Sequence, residues 1–316
     1  MDTLFSMLTL SLIYATPIII AALGGLYSER SGIVNIALEG LMTFGGFAGA
    51  TLTVILEPSN ALLAPWLGLM AGAIVGGMVS LLHAYLSIHL QADQTISGTA
   101  INMLALGGTV FLSQIIFNQQ RTEAFRRGFV KITVPGLSKI PILGNIFFTN
   151  IYTTVYLCFL LVILTSFIVY RTVFGLRLRA CGEHPHAADA MGVNVYRIRY
   201  IGVFLSGLLS GLAGAIMVLT QGTQFTVHSI HGTGFIALAA LVFGKWKPFG
   251  VLGAGLFFGF AQILALYSND IPLLSRLPNE FYNALPYLLT ILALVLVANQ
   301  EAGPRAAGKV YEKGER

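Results

Sequence analysis

Charged residues are scarce in this sequence, and their scarcity excludes an ordinary soluble domain. Asp, Glu, Lys and Arg make up 10% of the 316 residues, and hydrophobic residues make up 56%. Soluble domains carry about 25% charged residues. Mean hydropathy is +0.79, so the chain is expected to lie in a lipid bilayer.

Cysteines and catalytic motifs are scarce as well. Cys158 and Cys181 are the two cysteines, and they have neither a disulfide framework nor metal-ligand spacing. The Gly244–Lys245 pair is followed by Trp246, where a phosphate-binding loop would need Ser or Thr. No nucleophile is accompanied by a base or by a metal-ligand set. We therefore predict a chain that is not an enzyme and that holds no metal or cofactor of its own.

Long uncharged stretches follow one another along the chain. A membrane-spanning helix needs roughly 20 apolar residues, and the stretch 200–244 is long enough for two such helices. The first stretch is expected to stay as a membrane helix, because no Lys or Arg precedes it as in a cleaved signal. The fold class predicted is an all-α, polytopic helical bundle of 8 to 10 spans, some of them broken, in a single domain over 1–300 with a polar tail over 301–316. The stretches are 3–28, about 40–56, 58–82, 94–120, 140–170, 200–244, 248–269 and 281–300.

The basic residues favour one orientation of this bundle. In a soluble protein the net charge of +5 would suggest nucleic acid, but here the cations lie between apolar stretches and in the tail. Two long loops, 118–149 and 171–199, carry five cations each and flank a single predicted helix. The basic tail predicts a cytoplasmic C-terminus, and counting spans back from it places 171–199 inside and 118–149 outside. No nucleic-acid partner is expected.

A polar stretch, "RACGEHPHAADAMGV", interrupts the apolar chain at 179–193. Pro185 suits the first turn of a helix and Gly192 suits the position after its end, which predicts a helix of about two turns. Such a helix is too short to be stable alone, so it needs a docking surface on this chain or on a partner. Ala187, Ala188 and Met191 are expected to press into a groove there. An ordinary structured loop and, less favoured, a metal site remain alternatives.

Two sequence stretches resemble one family of membrane proteins. "GLRLRACGEHPHAADAMGVNVYRIR" at 175–199 is similar to the cytoplasmic coupling loop of permease subunits of ABC importers for branched-chain amino acids, simple sugars and nucleosides. "LGGLYSERSGIVNIALEGLMTFGGFAG" at 23–49 is similar to the signature of the nucleoside and simple-sugar branch. The resemblance covers nearly the whole chain, and its length fits the shorter of two paired permeases.

The resemblance implies a function, a set of partners and a location. It implies the translocating subunit of an ATP-driven importer in the bacterial plasma (inner) membrane, with nucleosides as the expected cargo. The implied partners are an ABC ATPase subunit that binds ATP and Mg²⁺, a second homologous permease forming a homo- or heterodimer, and an extracytoplasmic solute-binding protein. The residues implied to couple to the ATPase are Arg179, Gly182, Glu183, Pro185, Ala187, Ala188, Met191 and Gly192.

Alternatives differ in cargo or in energy source. The same class of subunit could carry a simple sugar or a branched-chain amino acid. An ion-coupled secondary transporter is less favoured, because such carriers usually need several membrane-embedded acids or bases, and Glu39 is the one confident candidate.

Four polar residues in or near the spans are candidates for a translocation pathway: Asn35, Glu39, Asn102 and Gln262. Asn35 and Glu39 would share a helical face if their segment were helical, and a carboxylate there should face protein or water. The alternative is structural. In that case Asn35 and Glu39 satisfy backbone groups at a broken helix, while Asn102 and Gln262 hydrogen-bond between helices.

Overall fold

The computed structural model describes residues 2–141, 143–267 and 303–313, together with the isolated positions 284, 288 and 291. Within these residues the fold is a helical bundle with two isolated β-bridges in its loops. The all-α polytopic bundle predicted from the sequence is confirmed. The span expected at 281–300 lies outside the described residues.

Seven helices of the described part are long and apolar enough to cross a membrane. Their positions follow the uncharged stretches, except that only the second half of 140–170 forms a span. These helices are α1 (Asp2–Arg30), α2 (Leu38–Asn60), α3 (Ala64–Ile88), α4 (Gln94–Phe117), α6 (Thr153–Arg171), α9 (Val195–Gln221) and α11 (Pro248–Leu266).

Four shorter helices complete the described fold. They are α5 (Leu143–Phe147), α7 (Val173–Glu183), α8 (Pro185–Ala190) and α10 (Thr233–Phe243), and a 3₁₀ turn covers Leu137–Lys139. Helix α10 is the second pass expected within 200–244, but it has 11 residues. At 1.5 Å per residue it is roughly 16 Å long, about half of the ~30 Å hydrocarbon core. It is therefore a half-length helix.

The two long loops lie at opposite ends of the bundle. Segment 118–149 lies at one end, which we call the loop end. There the Thr122 N–H donates a hydrogen bond to the Phe225 carbonyl, in the chain that follows α9, at 3.1 Å. At the other, the α7–α8 end, the Ala306 N–H of the tail donates to the Gly182 carbonyl at 2.8 Å. The C-terminal tail and the 171–199 segment therefore share one end, as the count of spans requires.

Glycines at helical spacing allow the central helices to approach closely. An added Cβ on Gly211 of α9 would stand 2.2 Å from the Gly72 carbonyl oxygen of α3, and one on Gly45 of α2 would stand 2.3 Å from the Gly211 Cα. No side chain fits between these backbones, which is how small residues bring membrane helices together. These glycines are therefore packing contacts between α2, α3 and α9.

We expect Gly211→Ala to destabilise the bundle, because its Cβ would collide with the α3 backbone. Overpacking of this kind costs about 1–3 kcal/mol. The matched control is Gly253→Ala in α11, where an added Cβ has nothing within 4 Å and the better helix propensity of alanine should leave stability unchanged or higher. Thermal unfolding of the detergent-purified protein checks both, and equal midpoints would contradict the packing assignment.

Candidate translocation and coupling sites

The chain is not helical between α1 and α2, over residues 31–37. Fully buried Asn35 lies in this break. Its Nδ2 donates to the Ser206 hydroxyl at 2.8 Å, and its Oδ1 accepts the Ala37 N–H at 3.0 Å. A break in a membrane helix must be satisfied by protein groups, and Asn35 does this. The helical face that Asn35 would share with Glu39 does not form, because α2 begins only at Leu38.

Asn102 of α4 supports the same break from the other side. Its Oδ1 accepts the Gly40 N–H at 2.7 Å, and its Nδ2 donates to the Ile36 carbonyl at 3.0 Å. Both ends of the carboxamide are engaged by backbone groups at the start of α2. This arrangement agrees with the structural alternative for Asn102, a hydrogen bond between helices. A contact of Asn102 with a solute stays a prediction.

Glu39 holds the start of the half-length helix α10. Its two carboxylate oxygens accept the backbone N–H groups of Gly232, at 2.8 Å, and Gly234, at 2.6 Å. The first N–H groups of a helix lack internal partners and carry partial positive charge, so a carboxylate stabilises them. Gly234 is required here because an added Cβ would stand 2.5 Å from the Glu39 backbone. Glu39 thus satisfies backbone groups at the start of a helix, as in the structural alternative given for it from the sequence.

Gln262 of α11 faces an open cavity of about 500 Å³ at the loop end. The cavity lies above the first turn of α10, which contributes Thr233 and Ile236 to its wall. Of the four pathway candidates, Gln262 is the one that lines this space. Further polar lining comes from Tyr14, Gln221, Thr226, His228 and Ser229.

Sequence reasoning found part of this lining. The polar run from Gln221 to Thr226, directly after a span, suggests a mouth of the bundle, and both residues do line the cavity. Tyr14 carries no such signal, because it lies in α1 and meets the cavity only through the packing of α1 on α10 and α11. Gln262 and Gln221 are 41 positions apart in the sequence, so no local spacing pattern relates them.

The short helix predicted after Pro185 is present as α8. Pro185 occupies its first turn, and Gly192 follows its end at φ +81°, in the left-handed region. The Gly192 N–H donates to the Asp189 carbonyl at 2.8 Å and the Val193 N–H to the Ala188 carbonyl at 3.0 Å, which closes the helix end. Helices α7 and α8 together form the α7–α8 hairpin.

The eight residues implied to couple to an ATPase differ in their exposure. Gly182, Pro185 and Ala188 are buried against this chain, while Ala187, Met191 and Gly192 are exposed. Ala188 is 5% exposed and belongs to the bundle core, so it packs on this chain, which is one of the two docking surfaces expected for this helix. A role of Ala188 in coupling stays a prediction. Met191, at 84% exposed, is the projecting side chain.

The remaining two coupling candidates bond to their own chain. The Arg179 guanidinium lies over the Tyr170 ring, 5.4 Å from its centre. A Glu183 carboxylate oxygen lies 4.0 Å from the Arg30 guanidinium at the end of α1. Gly182 packs beside this pair, where an added Cβ would stand 2.3 Å from the Arg30 carbonyl oxygen. The hairpin is thus fixed to the end of α1.

An apolar cleft of about 570 Å³ runs along the outer surface of the α7–α8 hairpin. Its exposed apolar side chains are Val173, Leu176 and Met191, and Arg177 and Glu183 lie at its border. Clusters of exposed apolar side chains with polar borders are typical of protein interaction sites. The cleft is therefore the candidate coupling surface.

The tail segment 303–313 packs onto the same end. The Gly308 N–H donates to the Gly32 carbonyl at 3.2 Å. Buried Tyr311 packs between the rings of His186 and Tyr196, with the Arg199 guanidinium 5.6 Å from its centre. Burial and the neighbouring Asp189 together raise the pKa of Tyr311 to about 12. The tail therefore ties α8 and α9 to the break after α1.

A helical bundle with a half-length helix capped by a half-buried carboxylate, and with a short hairpin exposed at one end, is typical of a polytopic transport protein. The family model for the branched-chain amino acid transport system permease component matches residues 7–294. The chain belongs to this family, and it is a multi-pass protein of the bacterial inner membrane.

Individual relatives are similar over almost their full length. The chain is 49% identical to the guanosine ABC transporter permease NupQ of Bacillus subtilis, over 97% of this chain and 96% of that one. It is 41% identical to the nucleoside ABC transporter permease NupC of Lactococcus lactis, over 96% of each. It is 33% identical to a putative glucose ABC transporter permease of Haloferax volcanii, over 89% of this chain and 88% of that one.

We expect Glu39→Leu to destabilise the protein more than Glu39→Gln. Leucine leaves both α10 N–H groups without their acceptor, at about 1–3 kcal/mol for each, whereas glutamine keeps one acceptor oxygen. Thermal unfolding of the purified protein gives the order. If Glu39→Leu unfolds at the wild-type temperature yet abolishes transport, the capping role is not what Glu39 contributes.

Proposed function

We propose that this chain is the permease subunit of an ATP-driven importer that carries nucleosides. The observation that carries the proposal is the similarity to the guanosine and nucleoside permeases, at 49% and 41% identity over nearly the whole chain. The simple sugar is the second candidate, favoured by the relative at 33% identity. The lower identity of that relative ranks it second.

An ATPase subunit docks on the α7–α8 hairpin in this proposal. Support comes from the apolar cleft and from the exposed Met191, which projects as a side chain that a groove could receive. The polar residues at its border contribute little, since exposed ion pairs are worth about 0–1 kcal/mol. This docking places the α7–α8 end in the cytoplasm and the loop end outside.

The other two proposed partners contact different faces. A second homologous permease packs on the apolar face of α4, where Met103, Leu104 and Phe111 are exposed; homo- and heterodimer pairing both fit this surface. A solute-binding protein docks at the loop end, supported by the basic side chains of segment 118–149. These are Arg121, Arg126, Arg127, Lys131 and Lys139.

The carboxylates of Glu29 and Glu39 favour ATP as the energy source over an ion gradient. Glu39 is bonded to two backbone N–H groups, and Glu29 accepts a hydrogen bond from the Trp246 indole. Both side chains therefore already have fixed partners within the described residues. A coupling ion would need membrane-embedded groups that are available to bind and release it.

The uptake of radiolabelled guanosine into vesicles tests the function. We expect vesicles that contain the full complex and the loaded binding protein to accumulate guanosine when ATP is supplied to the ATPase side, in the absence of sodium and pH gradients. Glucose and leucine are the matched cargo controls. Uptake driven by a gradient without ATP would contradict the class, and uptake of glucose alone would contradict the cargo.

We expect Met191→Asp to uncouple ATP hydrolysis from transport. A carboxylate buried in the apolar contact would lack a partner and would weaken docking about tenfold, equivalent to ~1.4 kcal/mol. The folding of the Met191→Asp variant should be unaffected, because Met191 is 84% exposed. The control, Leu90→Asp, places the same charge at an exposed apolar position that follows α3 and does not line the cleft. Co-purification of the ATPase and the guanosine uptake rate are measured, and wild-type values for Met191→Asp would remove the hairpin from the coupling route.

A further inference from the structure

The cavity at the loop end has the size and depth of a small-molecule site. Its volume of about 500 Å³ lies within the roughly 300–1,000 Å³ of typical ligand pockets. It opens at the loop end, and Thr233 and Ile236 of α10 line its inner part. Because α10 extends only about half the membrane thickness, this inner wall lies near the middle of the bilayer.

The lining excludes strongly charged solutes. No Asp, Glu, Lys or Arg lines the cavity among the residues described, so neither a phosphate nor the carboxylate and ammonium of an amino acid would find an opposite charge. The start of α10 offers no free positive end, because Glu39 already accepts its N–H groups. The solute that fits is neutral, and its polar groups must be matched by hydrogen bonds.

Two carboxamides and a set of hydroxyls supply those hydrogen bonds. Gln221 and Gln262 line the cavity together with Thr226, Ser229 and Thr233. The Nε2 of Gln221 is buried and has no hydrogen-bond partner among the described residues. A buried donor without an acceptor is costly, so the Gln221 side chain gains by turning its carboxamide toward an acceptor atom on a solute in the cavity.

Aromatic groups complete the lining. Tyr14 contributes a phenol ring, and His228 and His231 contribute imidazole rings whose centres are 6.0 Å apart. The two imidazole planes stand at 87° to each other, so one of them at a time can stack on a base. Nucleobases that are not paired bind proteins by stacking on such rings and by hydrogen bonds along their edges. Glutamine carboxamides make paired hydrogen bonds to a base edge. A simple sugar uses hydroxyl partners but has no flat ring to stack.

We propose that this cavity is a nucleoside-binding site within the permease itself. Gln221 and Gln262 bind the edge of the base, one of the aromatic rings covers its face, and the hydroxyls of Thr226, Ser229 and Thr233 bind the ribose. The inference rests on the proposed function and adds the residues that select the cargo after the binding protein has released it.

Protection of an introduced cysteine tests the site without relying on transport. The full complex in nanodiscs carries either Gly222→Cys or Gln120→Cys. Gly222 lines the cavity, is exposed and has extended backbone that cysteine also adopts, whereas Gln120 is exposed at the same end but outside the lining. The native Cys158 and Cys181 are buried and should not react, since burial also raises the pKa of the Cys181 thiol to about 11. Maleimide labelling rates are measured with guanosine, with glucose and with neither.

We expect guanosine to slow the labelling of Gly222→Cys about tenfold and to leave Gln120→Cys unchanged. Adding Gln221→Leu or Gln262→Leu should abolish the protection, whereas Gln120→Leu should preserve it. Equal protection by glucose would overturn the nucleoside assignment. Absence of protection in a complex that imports guanosine would overturn the site and leave the proposed function intact.

Transport kinetics separate the site from the fold. We expect Gln221→Leu and Gln262→Leu to lower the maximal guanosine uptake rate about tenfold at saturating loaded binding protein, since each removes a hydrogen bond to the solute. ATP hydrolysis without binding protein and the thermal midpoint should match those of Gln120→Leu. Wild-type uptake by both glutamine variants would contradict the inference, whereas a wild-type complex that imports no nucleoside would contradict the proposed function.

Discussion

The hydrogen bonds from Glu39 to the start of α10 determine how the middle of this protein is built. A helix that begins inside a membrane exposes N–H groups that lipid cannot satisfy. Glu39 supplies two acceptors from α2, across 193 positions of sequence to Gly232. The carboxylate also needs protection from hydrocarbon, and α10 provides it. The carboxylate and the N–H groups therefore satisfy each other away from water, and a half-length helix can begin near the bilayer centre.

The other end of α10 is held just as firmly. Trp246 follows α10, and its indole donates to Glu29 while its backbone carbonyl accepts from the Arg30 guanidinium. Arg30 also lies beside Glu183 of the α7–α8 hairpin. The end of α1 thus connects the proposed ATPase surface to the inner end of the half-length helix. The residues of this connection can therefore affect transport without contacting the solute.

Hydropathy and a few turn residues were enough to predict most of the fold. Uncharged stretches located the seven described spans, and Pro185 with Gly192 located α8, because these signals are local. The facing of Ala188 could not be predicted, since a helix of six residues has too few turns to show which side is buried. The partner of Glu39 and the docking of Tyr311 depend on contacts between distant segments, which no spacing in one sequence reveals.

The two ends of α10 also relate the proposed cargo site to the proposed motor. Its first turn contributes Thr233 and Ile236 to the cavity wall, and its last turn leads directly to Trp246. Helices are stiff along their axis over 11 residues, so a shift of Trp246 moves the cavity wall unless the bonds to Glu39 yield. A nucleotide-driven movement of the hairpin would therefore reach a neutral solute by a short path, through Arg30 and one half-length helix. A full-length span in the same place would have left no cavity above it.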